Sequence, residues 1–87
     1  MIEKLILSYV DKITKEDIKN FGIKNGITLN NEQAEYIFYQ VKNNWRTIIY
    51  GNPTNIFNEL KTKVDNNTYQ KIKQLYFEFR NRYGSYL

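Results

Sequence analysis

Apolar residues recur at three- and four-residue steps along almost the whole chain, and no segment alternates with period two. The first run, Ile2, Leu5, Ile6, Tyr9, Val10 and Ile13, predicts a helix over about residues 2–12 with one inward face. Thr14 with Asp17 three residues on has the form of a capping box and predicts a second helix over about 15–24, with Ile18 and Phe21 as its buried side. Asn25-Gly26 ends it through a left-handed turn. Asn30 with Gln33 opens a third helix, and Glu32 favours its positive end. That helix is expected over about 31–50, with the stripe Ala34, Ile37, Phe38, Val41, Trp45, Ile48 and Ile49 facing a core.

Gly51-Asn52-Pro53 then reads as stop, cap and start. Gly51 is expected to take positive φ, Asn52 to cap, and Pro53 to occupy the first position of a helix over about 53–63. A phosphate cradle is the competing reading, but Pro53 removes a donor and the lysine of a phosphate-binding loop is missing. Ile56, Phe57, Leu60 and Val64 point inward from this fourth helix. Asp65 or Asn66 caps a fifth, over about 67–83, with Tyr69, Ile72, Leu75, Tyr76, Phe79 and Tyr83 on its inner stripe and Gly84 at its end. The expected architecture is one all-α domain over residues 1–87, a compact bundle of five helices with the long third helix as its spine and Trp45 in the core.

The segments "KITKEDI", "NGITLNNEQAEYI" and "NIFNEL", in this order and spacing, are similar to those of a small helical domain-of-unknown-function family of low-GC Gram-positive bacteria. Ile13-Thr14, Gly26-Ile27, Gln33-Ala34-Glu35 and Asn55-Ile56-Phe57-Asn58 carry the likeness, and Trp45 to Pro53 departs from it. The resemblance implies an all-helical fold and, since the family has no assigned activity, lends no mechanism.

Composition narrows the chemistry. The chain has no cysteine and no histidine, which removes thiol nucleophiles, the usual neutral-pH base and the commonest ligands of zinc and iron. Glu16-Asp17 and Glu32/Glu35 read as caps and helix-dipole partners. The expectation is a non-enzyme, with no catalytic residues, no metal and no cofactor. No apolar run approaches the ~20 residues of a membrane span, and "MIEKLILSYV" is not signal-like, so a cytoplasmic location with no membrane contact is the default.

Charge is uneven. Six lysines balance six acids over residues 1–44, so the net +4 falls on residues 45–87, where seven cations face Glu59, Asp65 and Glu78. Two aromatic sets accompany these charges. Tyr36, Tyr39, Asn43, Arg46 and Tyr50 lie opposite the core stripe of the third helix, which fits either a central helix touched on both sides or a partner surface. Phe77 leaves the inner stripe of the fifth helix among Lys73, Arg80 and Asn81. It can meet a partner, stack on a base, or pack internally. Tyr39, Arg46, Tyr50, Lys73, Phe77 and Arg80 are therefore the candidate binding residues. The expected function is a non-catalytic interaction module that meets a protein partner, or another copy of itself, through this aromatic and basic surface, with no small-molecule substrate. The alternative is nucleic-acid binding by the basic half, with the fourth and fifth helices as a helix-turn-helix and Gln70, Lys71 and Gln74 toward the bases.

Overall fold

The computed structural model describes residues 2–84, except for the side chain of Ile2. The predicted burial of Ile2 and the tail after Gly84 lie outside the described residues. The protein is all-α, with five helices among the described residues: α1 (Ile2–Lys12), α2 (Lys15–Lys24), α3 (Asn31–Tyr50), α4 (Thr54–Lys61) and α5 (Asn66–Tyr83). No strand occurs among the described residues. The chain divides into two compact units, Met1–Trp45 and Arg46–Leu87.

In the first unit the punctuation is local and obeys its sequence. Asp17 N–H donates to Thr14 Oγ1 at 3.1 Å, and Thr14 N–H donates back to Asp17 Oδ2 at 2.9 Å. At the start of α3, Gln33 N–H donates to Asn30 Oδ1 at 2.8 Å and Asn30 N–H to Gln33 Oε1 at 3.0 Å. Each box satisfies two groups that a helix start leaves without partners. Gly26 takes φ 74°, the left-handed turn that Asn25-Gly26 predicts.

Burial departs from the simple stripes. Val10, Ile27, Ala34 and Trp45 are buried in this unit, but Leu5 and Tyr9 of α1 and Phe21 of α2 face water. Gly22 takes the place expected for Phe21. Its carbonyl accepts the Ile27 N–H at 2.8 Å, and a Cβ there would lie 2.9 Å from the Ile27 oxygen. The loop returns across the helix where no side chain intervenes, and Phe21, about 100° around, is left outside.

α3 is not the straight rod its stripe suggests. Asn44 has φ −133° and ψ 24°, so the helix bends there. Asn43 Nδ2 donates to the Tyr39 carbonyl at 2.9 Å and Asn44 Nδ2 to Gln40 Oε1 at 2.8 Å. The Asn43 amide thus reaches a carbonyl of the helical ladder, and a side chain inserted into that ladder is a recognised cause of a kink without proline.

The second unit begins with the last turn of α3. Gly51 does not take positive φ. Its requirement is closeness: a Cβ would lie 3.1 Å from the Thr47 oxygen and 3.2 Å from Thr47 Cα. Asn52 does accept the Thr54 N–H, at 3.1 Å, as a capping side chain should. The first helical bond, however, runs from Phe57 N–H to the Pro53 carbonyl at 3.0 Å, so Pro53 is the cap and α4 starts one residue later than expected. α4 also ends early, where Lys63 N–H donates to the Leu60 carbonyl at 2.8 Å in a tightened final turn. Asp65 caps α5 by accepting the Thr68 N–H at 3.3 Å. Leu60 and Tyr69, one from each helix, form the buried centre of this unit, whereas Phe79 and Tyr83, expected inside, are substantially exposed.

Candidate binding groove

In the second unit α4 and α5 pack through rings. Phe57 meets Tyr76 edge-on at a centroid separation of 5.1 Å and Tyr69 at 6.3 Å, the offset arrangement that aromatic quadrupoles favour. Tyr76 in turn lies 5.7 Å from Phe77. These four rings line an open groove of about 630 Å³, bounded on its other side by the Gly51–Thr54 corner and Asn58.

Lys73 and Arg80 complete the lining, and no acid belongs to it. The Lys73 ammonium sits 5.8 Å from the Tyr69 ring centre and 6.0 Å from that of Phe77. It is held between two π faces and presents a cation at the groove. Phe77, at 52% exposed, leaves half its surface to water.

Arg80 is differently occupied. Its Nη1 donates to the Ile49 carbonyl at 2.8 Å and to Tyr76 Oη at 3.1 Å, while the Tyr76 hydroxyl donates to the Ile48 carbonyl at 3.0 Å. The last carbonyls of a helix lack internal partners and gather partial negative charge, and α3 has no basic residue in its last turn. One step of i, i+4 on α5 thus supplies both a hydroxyl and a cation to that end. The same solution recurs in the first unit, where Lys42 Nζ of α3 donates to the Asp11 carbonyl near the end of α1 at 2.9 Å.

Of the six candidate residues, the groove gathers Lys73, Phe77 and Arg80. Arg46 and Tyr50 belong to the same unit and are exposed but lie outside the groove. Tyr39, 58% exposed, belongs to the other unit. Sequence reasoning treated Phe57, Tyr69 and Tyr76 only as core. The signal for Tyr69 and Tyr76 as groove walls was the spacing Tyr69, Lys73, Tyr76, Phe77, Arg80, which puts rings and cations on adjoining stripes of one helix; Phe57, on α4, had no such signal. For the helix-turn-helix reading, Gln74 Nε2 donates to Glu78 Oε1 at 3.2 Å, so an acid accompanies one of the three proposed base readers.

Among the described residues no three acids gather as a metal-binding group, and no helix is long and apolar enough to cross a membrane. The family model described as "Protein of unknown function (DUF2624)" matches residues 1–80. No curated protein and no solved structure matches the chain.

Proposed function

Because the chain belongs to the DUF2624 family, whose description names no activity, we propose a function from its own surface: a non-catalytic interaction module that takes an acidic segment of a protein partner into the α4–α5 groove. The observation that carries this reading is Lys73, held between Tyr69 and Phe77 in a lining with two cations and no carboxylate. Such a lining attracts negative charge at long range and offers rings as anchors at contact. Lys73 and Phe77 are the primary contacts. Arg80 contributes field and shape, since its guanidinium also closes the end of α3. A non-catalytic role follows the absence of imidazole and thiol from the chain, and a cytoplasmic setting suits a cysteine-free domain.

The net +4 of residues 45–87 argues against this half meeting its own copy, because like charges face each other across such a contact. Nucleic acid is the second reading, supported by a half-exposed ring beside a cation, which suits stacking on an unpaired base. NMR titration with acidic-aromatic peptides and, separately, with single-stranded oligonucleotides distinguishes the two. The expected result is peptide-induced shifts at Lys73 and Phe77 that Lys73→Glu abolishes. Oligonucleotide binding that falls steeply between roughly 50 and 200 mM salt, with no response to peptide, would replace the protein-partner reading.

A further inference from the structure

α1 is covered on one side only. Among its described side chains Val10 alone is buried, with Ile6 half-buried, while Leu5 and Tyr9, one turn apart on another face, are 71% and 66% exposed. They border a shallow groove of about 300 Å³ shared with Lys12 and with Asp17 of α2. Phe21, 59% exposed, stands one turn beyond Asp17 on the same face of α2. These three side chains together leave on the order of 400 Å² of mostly apolar surface in water, the size of the largest patch on a typical monomer. That area is about half of one partner's share of a standard interface. An 11-residue helix is too short to hold itself together in water and depends on packing, so covering this face would add to the hold of Val10 and Ile6.

Charge identifies the cover. Residues 1–44 carry six lysines and six acids and sum to zero, so two such halves meet without net repulsion. The groove itself holds one cation and one anion, Lys12 and Asp17. A uniformly acidic or basic partner matches one and opposes the other. A second copy related by a two-fold axis matches both, because residue i then meets j and j meets i. Asp17 uses one carboxylate oxygen on the Thr14 N–H and retains acceptor capacity for a lysine.

We propose that the protein forms a two-fold dimer through the α1 face, with Leu5, Tyr9 and Phe21 at its centre and Lys12 of each copy paired with Asp17 of the other. The proposal is independent of the α4–α5 groove and of whatever binds there.

Sedimentation equilibrium of the full chain, from about 1 to about 100 μM, tests it. The expected mass is twice 10.5 kDa. The double variant Leu5→Glu, Tyr9→Glu should weaken association at least ~100-fold, and Lys12→Glu about tenfold. Far-UV circular dichroism establishes that each variant remains helical. Should the double variant unfold, single-cysteine chains decide the matter, since the protein has no cysteine of its own: a short thiol crosslinker should join Tyr9→Cys chains into covalent dimers and leave Phe77→Cys chains monomeric. A monomer mass throughout the range overturns the proposal. So does a dimer that a folded double variant leaves intact, or crosslinking through Phe77→Cys and not through Tyr9→Cys.

Discussion

Arg80 Nη1 lies 2.8 Å from the carbonyl oxygen of Ile49, a residue 31 positions earlier in the chain. The bond joins the last turn of α5 to the end of α3 and makes a residue of the candidate groove a structural one as well. Arg80→Ala should lower stability by about 1.5–3 kcal/mol, the range for a hydrogen bond to a charged group. Tyr76→Phe, which removes only the hydroxyl donated to Ile48, should cost about 1 kcal/mol. Urea titrations of both variants measure the difference. If Arg80→Ala melts like the parent, the bond contributes nothing.

Trp45 is 5% exposed and is the largest side chain buried in the first unit. Trp45→Ala should cost about 3–5 kcal/mol through lost transfer energy and the cavity left behind. Thermal melts followed by circular dichroism give the value.

At Gly22 two effects oppose each other. Alanine is favoured over glycine inside a helix by about 1 kcal/mol, so a helix-propensity argument predicts that Gly22→Ala stabilises α2. The Ile27 carbonyl, 2.9 Å from the would-be Cβ, is backbone and cannot step aside cheaply. The contact wins, and Gly22→Ala should melt at a lower temperature than the parent.

Hydrogen bonding from the Thr68 side chain, with further help from the Thr68 backbone N–H and Lys71, holds the Asp65 carboxyl below its ordinary pKa of 3.8. A depressed folded-state pKa stabilises the fold above the unfolded-state value and loses that contribution as pH falls through the folded one. The effect is absent near neutral pH as a slope and enters below about pH 4. Asp65→Asn keeps a capping side chain without the charge, so its melting temperature should change less than the parent's between pH 5 and pH 2.5, roughly the window of this linkage.

The helix count and most boundaries were legible because each cap is local. Thr14/Asp17 and Asn30/Gln33 bond within three residues of themselves, and such spacing is visible in a one-dimensional string. What was not legible depends on distant backbone. Phe21 sits at a helical apolar position, yet the chain returns over Gly22 instead, and only the path of residues 25–29 decides that. Leu5 and Tyr9 belong to a valid apolar stripe whose cover is not supplied by α2. The bend falls at Asn44, which reads as an ordinary polar residue in an otherwise uninterrupted pattern. For the groove, the sequence supplied Lys73, Phe77 and Arg80. It could not reveal that Arg80 closes another helix, since a hydrogen bond spanning 31 residues has no periodic signature.

The clamp formed by Tyr76 and Arg80 also fixes an order of events during synthesis. The carbonyls of Ile48 and Ile49 are made 28 and 31 residues before the groups that satisfy them. At about 5–20 residues per second, the nascent segment waits on the order of 1.5–6 s for its closing partners. Through that interval its final turn lacks these two partners, and a chain stopped short of residue 76 never acquires either donor.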